Sequence, residues 1–156
     1  MEITNDFIQK YLLYRDPFLF IDSATVIDDF KTIGRYKLKK DSYLLKGHFP
    51  GYPVLPGVLL VEMISQTALL HIIAKTVDAE MDKKKLENFK YEGYLAKLSE
   101  FNFKNRIEPE ADIEIKVEVK PSVIENFFEA KGTVFEGNKI KCYGSMFLYF
   151  REVSES

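Results

Sequence analysis

"GHFPGYPVLPGVLLVEMISQ", residues 47–66, runs a stiff, turn-forming loop straight into an apolar segment. Three prolines and three glycines share it with one histidine, His48, and one glutamate, Glu62. Proline fixes φ and restricts the residue before it, so Pro50, Pro53 and Pro56 hold the loop around His48 in place. Proline also suits the first turn of a helix, where its missing N–H has no intrahelical partner; a helix is predicted to start at Pro56 or Gly57. "GVLLVEMISQTALLHIIAKTV" (57–77) then extends about 30 Å at 1.5 Å per residue. It is apolar on nearly every face, and such a helix must be covered on most sides. What wraps it decides the fold.

The wrapping comes from the flanking sequence. Residues 4–13 read as a short helix capped by Thr4 or Asn5 and closed by Pro17. "FLFIDSATVID" (18–28) and "TIGRYKLKK" (32–40) read as strands around a turn at Asp28–Asp29. "DAEMDKKKLENFKYEG" (78–93) is charged and reads as a solvated excursion, and strand-like runs follow at 94–107, 112–121, 126–136 and 139–151. In the second of these, Ile113, Ile115, Val117 and Val119 alternate with Glu114, Lys116 and Glu118, the pattern of a sheet with one buried and one wet face. Glu125-Asn126 and Glu136-Gly137-Asn138 are hairpin-turn candidates. Short connections imply mostly antiparallel pairing. The expected architecture is α+β, one curved sheet around one long helix, in a single domain spanning 1–156.

The totals narrow the function. At 156 residues, 46% hydrophobic, the chain is long enough to build a core, and a net charge of −2 gives no electrostatic footprint for nucleic acid. Cys142 is the sole cysteine, which excludes an intrachain disulfide and fits a reduced, cytoplasmic setting. The N-terminal stretch is charged throughout and reads as no signal peptide. The longest uninterrupted apolar run is too short to suggest membrane insertion. No Walker loop, GxGxxG or GxSxG occurs, and Glu62 and His71 do not form HExxH, so neither a cofactor nor a metal is expected.

Three elements can carry chemistry. His48 sits in the rigid loop, as a positioned base requires. Glu62 lies among Leu59, Leu60, Val61, Met63 and Ile64; desolvation there raises a carboxyl pKa, as suits a general acid. Gln66, one turn on, can hydrogen-bond it. Gly57 offers an N–H without an intrahelical acceptor, at the positive end of the helix dipole, where a developing enolate oxygen could be held. Each also has a plain alternative: a loop histidine without a role, a glutamate at a subunit seam, a glycine that turns a corner. His71, Arg15 and Cys142 read as structural or surface residues.

Together the residues resemble the signature HFPGxPxxPGVLxxEAxAQ of the bacterial 3-hydroxyacyl-[acyl-carrier-protein] dehydratases of the hotdog fold. The match runs through His48-Phe49-Pro50-Gly51, Pro53, Pro56-Gly57-Val58-Leu59, Glu62 and Gln66, with Met63 and Ser65 in place of alanines. Glu62 resembles the branch that only dehydrates; the isomerising branch usually has Asp. "LLYRDPFLFID" (12–22) is similar to LPHRYPFLLVD, with Tyr14 in place of its histidine, and 94–112 is similar to LAGIDKARFRRPVVPGD with altered prolines and glycine. The resemblance implies a homodimer, in this branch often a trimer of dimers, with His48 from one chain meeting Glu62 from the other. It implies His48 as base, Glu62 as acid aided by Gln66, Gly57 N–H for the thioester oxygen and Val54 C=O fixing the His48 tautomer. The implied partners are acyl carrier protein and its acyl thioester, and the implied reaction is dehydration of (3R)-3-hydroxyacyl to trans-2-enoyl thioester in fatty-acid or related lipid synthesis. A hotdog thioesterase or acyl-CoA hydratase, and a non-catalytic acyl-binding subunit, are the rival readings.

Overall fold

The structure is a computed structural model, described here for residues 1–80 and 89–154. Its centre is the helix expected from the sequence. α2 spans Gly57–Ala79, with Pro56 at its N-cap. From Leu60 to Ala74 every residue except Glu62 is buried. By length and hydropathy alone α2 could cross a bilayer, but 78% of its apolar stretch is buried inside the protein. Its apolarity is the demand of a wrapped core helix.

Among the described residues seven strands do the wrapping: β1 (Glu2–Ile3), β2 (Ser23–Val26), β3 (Lys31–Leu38), β4 (Phe89–Phe103), β5 (Ala111–Pro121), β6 (Phe127–Glu136) and β7 (Lys139–Ser154). They form one antiparallel sheet in the order β1-β2-β3-β5-β6-β7-β4. This is the expected α+β hotdog arrangement. The alternation read in β5 is real: Ala111, Ile113, Ile115, Val117 and Val119 face the helix and are buried. The sheet presses hardest on the helix where strands carry glycine. A Cβ on Gly93 would stand 2.2 Å from a Leu69 methyl, and one on Gly132 2.3 Å from Ile64 Cγ2. A side chain at either position would have to displace Leu69 or Ile64 of the helix.

The segment read as a strand at 18–28 is paired only over Ser23–Val26. Residues 18–20 instead turn their backbone toward Gln66 of the helix: Phe20 N–H donates to Gln66 Oε1 (2.8 Å) and Gln66 Nε2 donates to Phe18 O (3.0 Å). A buried amide side chain has taken the place of a neighbouring strand. β4 begins at Phe89, inside the expected excursion, most of whose charged residues (81–88) lie outside the described part. α1 covers Asn5–Tyr11, with Thr4 as its cap. Gly137 takes φ +56° and Asn126 φ +63°, the left-handed geometry that tight turns between strands need.

Two residues read as bland have definite structural work. His71 is buried, with Nδ1 2.9 Å from Thr32 Oγ1, and burial pushes its imidazole below the usual pKa. Arg15, read as a surface cation, donates to the carbonyls of Gln9, Leu12 and Tyr14 at 2.6–2.8 Å and clamps the end of α1.

Candidate active site

The His48 loop is fixed by paired hydrogen bonds as well as by prolines. Val54 N–H donates to His48 O (2.8 Å), and His48 Nδ1 stands 2.7 Å from Val54 O. Phe49 and Tyr52 exchange backbone hydrogen bonds in both directions, at 3.0 and 2.9 Å, around Gly51 at φ +75°. Leu55 N–H ties the loop to Ile107 O (2.9 Å). The His48–Phe49 peptide is cis, and the two rings stack with centroids 4.1 Å apart. A carbonyl oxygen only accepts, so Nδ1 of the neutral imidazole must carry the proton. Nε2 is then left with a lone pair, the state a general base requires.

Glu62 is the one residue of the central helix span Leu60–Ala74 that is not fully buried. Burial pushes its carboxyl above the ordinary range, and a hydrogen bond from Gln66 partly offsets this. Gln66 Nε2 donates to Glu62 Oε1 at 2.9 Å. Gln66 is completely buried and is itself held by Phe18 O and Phe20 N. The spacing showed the Glu62–Gln66 pairing; nothing in it showed the anchoring by residues 18–20, which is a tertiary contact across 46 positions.

Gly57 opens α2, and Pro56 before it provides no side-chain cap. The Phe103 ring packs over Gly57, 3.2 Å from where a Cβ would lie. Phe103 has no signature in the sequence beyond an aromatic in a strand. Tyr14, where the resembled family has histidine, donates its hydroxyl to Gly93 O (3.0 Å). Burial, and after it the charge of Glu62, pushes this phenol up to about 12.

Among the described residues, no hydrogen bond or ion pair joins His48 to Glu62 within one chain. The broad groove of about 570 Å³ that crosses Ile33, Lys116, Lys131 and Tyr143 contains neither. The structure thus brings Glu62, Gln66 and the 18–20 segment together, and separately His48 and Val54. Among the described residues no group of His, Cys, Asp and Glu is arranged to hold a metal.

The edge strand supplies a further observation. Leu95 pairs with Leu148 and Leu98 with Met146, so they share the face on which those two are buried. Leu95 and Leu98 are nevertheless 41% and 49% exposed, and Tyr94 beside them 52%. Leu95 and Leu98 thus put apolar surface on the helix side of an open sheet edge, where a second sheet can add, while Tyr94, opposite Tyr149, lies on the outer face.

Known proteins match this architecture and these motifs. The family model for ApeI-like proteins, described as ApeI dehydratase, matches residues 26–139. A 3-hydroxyacyl-[acyl-carrier-protein] dehydratase FabZ of Clostridium perfringens is 30% identical over 143 residues, covering 89% of this chain and 92% of that protein. Its counterpart from Bacillus subtilis is 28% identical over 134 residues, covering 85% and 82%. Among solved structures, the dehydratase heterocomplex ApeI:P from Xenorhabdus doucetiae superposes with a TM-score of 0.70 at 15% identity, covering 91% of this chain and 89% of that one. A Pseudomonas aeruginosa thioesterase shares the fold at a TM-score of 0.53 and 9% identity, covering 83% and 81%. The family model spans most of the chain, the FabZ relatives align nearly end to end, and the histidine loop leads into a glutamate-bearing core helix: the chain belongs to the hotdog-fold 3-hydroxyacyl-[acyl-carrier-protein] dehydratases, alongside their ApeI-like members.

Proposed function

We propose that the protein eliminates water from a (3R)-3-hydroxyacyl thioester carried by acyl carrier protein, yielding the trans-2-enoyl thioester. His48 Nε2 removes the C2 proton. The electron pair moves toward the thioester carbonyl, whose oxygen is held by Gly57 N–H at the start of α2. It then forms the C2–C3 double bond as the C3–O bond breaks. Glu62 gives its proton to the departing hydroxyl, which leaves as water. Transfer of the proton from the His48 imidazolium to the Glu62 carboxylate resets the site. Gln66 aims the Glu62 carboxyl and Val54 O holds the His48 tautomer. No step calls on a metal or redox cofactor.

One observation carries this reading: His48 Nδ1 is occupied by Val54 O, which frees Nε2 to accept, and burial pushes the Glu62 carboxyl above its ordinary pKa, the direction a proton donor needs. A thioesterase needs no such pairing of free base and raised acid.

On this reading the pair is completed across a subunit boundary. The helix-side apolar edge at Leu95 and Leu98 suits a second copy of this chain adding its own β4 edge to edge, which would carry one chain's His48 to the other's Glu62. The Xenorhabdus relative is solved as a heterocomplex. Sedimentation of this chain expressed alone therefore distinguishes self-pairing from pairing with a different subunit; a monomer refutes the homodimer.

The test is a chain-length series of 3-hydroxyacyl carrier-protein substrates, read by mass spectrometry, with wild type and His48→Ala. Loss of one water by wild type only, with both proteins equally folded, supports the assignment. Release of free thiol identifies a thioesterase, and binding without turnover identifies an acyl-binding subunit.

A further inference from the structure

The segment between α1 and the Gln66-binding residues runs beside the first part of edge strand β4. Leu12 forms a parallel bridge with Tyr91, and Leu13 N–H donates to Tyr91 O (3.3 Å). Two residues along β4, Gly93 O accepts from the Tyr14 hydroxyl (3.0 Å). Residues 91 and 93 have the same parity in the strand, so their carbonyls open on the same side. The N-terminal segment takes both, the second through a side chain. Beyond Gly93 come Tyr94, Leu95 and Leu98, the exposed apolar residues of the edge. The Tyr14 side chain thus lies where the covered edge gives way to the open one.

From Tyr14 a short line of contacts leads to the carboxyl. Its ring stacks on Phe18, with centroids 6.2 Å apart and planes at 20°. Phe18 packs edge-on against Phe20 at 5.0 Å. The backbones of Phe18 and Phe20 grip the Gln66 amide, and Gln66 holds Glu62. Arg15 keeps the segment rigid through the Leu12 and Tyr14 carbonyls. Gly93 cannot retreat, because it lies hard against Leu69 of the helix.

We propose that Tyr14 is a positioning residue for Glu62: its hydroxyl latches the 12–20 segment to Gly93 at the mouth of the open edge, and that segment holds Gln66 and keeps water from the Glu62 carboxyl. The inference rests on the dehydratase reading of the site. Tyr14 takes no part in proton transfer. Its phenol stays un-ionised, pushed up to about 12, so it remains a donor to Gly93 throughout the working pH range. The titratable groups around it are Glu62 on α2 and Glu92 and Tyr94 on β4. Because the latch meets the strand where a second copy would pair, it links subunit contact to the setting of the acid.

Tyr14→Phe keeps the ring stack and removes only the latch. With a 3-hydroxyacyl carrier-protein substrate, kcat is expected to fall about tenfold, the size of one lost hydrogen bond, while KM stays within about twofold. Water admitted to Glu62 relieves its desolvation and lowers its pKa. The alkaline limb of the kcat–pH profile therefore moves to lower pH, which a merely structural role would not produce. Tyr14→His keeps an aromatic ring but its ring N–H stops short of Gly93 O, so its limb should move to lower pH as well; this variant carries the test if Tyr14→Phe fails to fold. An unchanged kcat and limb in Tyr14→Phe overturns the proposal, as does an unchanged limb in Tyr14→His. A wild type that releases no water refutes the dehydratase reading instead.

Discussion

Replacing Gln66 by leucine keeps the volume of a fully buried side chain and deletes three hydrogen bonds at once. Phe18 is half-exposed, so its carbonyl can take water in exchange. Phe20 N–H is buried and has no substitute for Gln66 Oε1. An unsatisfied buried donor costs about 1–3 kcal/mol. For a protein of this size, each kcal/mol moves the melting temperature by about 2–4 °C, so Tm should drop by about 2–12 °C. Activity suffers separately, since Glu62 loses the donor that aims it. A hydrogen bond to a charged group contributes about 1.5–3 kcal/mol, which corresponds to a fall in kcat of about tenfold to a hundredfold. The pH profile gives the sign of the effect. The Gln66 N–H favours the charged form of Glu62, against the dominant desolvation that raises its pKa. Without it the pKa rises further, and the alkaline limb shifts to higher pH, opposite to the shift expected for Tyr14→Phe. Calorimetry and single-turnover assays across pH measure these quantities. A Gln66→Leu protein with unchanged Tm and kcat within twofold of wild type would refute the anchoring role.

Glu62→Gln should abolish dehydration and at the same time stabilise the fold above acid pH. Glu62 has a folded-state pKa above its ordinary 4.5. Below 4.5 it is neutral folded or unfolded, so the variant gains nothing there; as pH rises through the folded-state pKa, wild type bears the growing cost of a buried charge and the variant does not. Urea midpoints of both proteins at acid and mildly alkaline pH check this, and a gap that is constant with pH contradicts it. Gly57→Pro tests the oxyanion donor. Pro56 is already extended, with ψ 128°, as a residue before proline must be, and the first helical position tolerates proline. The helix should survive with a small adjustment of Phe103, while kcat falls by about 10²–10³-fold. A kcat within threefold of wild type removes Gly57 from the mechanism.

Local chemistry made several features legible. Pro56 and Gly57 marked the helix start because a proline N–H is not missed there. The apolar run after them announced a wrapped helix, because it has no wet face to offer. Strict alternation in 112–121 placed the helix side of β5. His48, Glu62 and Gln66 stood out because a rigid loop and an apolar helix are costly places for polar groups without a purpose.

Only the folded chain decided the rest, because contacts between distant segments leave no local pattern. Residues 18–21 are apolar and strand-like in isolation, yet the buried Gln66 amide claims the backbone of Phe18 and Phe20. The β4 edge begins within a charged stretch, since pairing with β7 outweighs local polarity. Tyr14 looked like a substitution in a motif; its distance in sequence from Gly93, 79 positions, hid the latch between them. Composition and spacing act over a few residues and so set the helix, the loop and the identity of the polar groups. Which backbone holds each polar group, and which edge stays open, depends on the sheet closing around the helix.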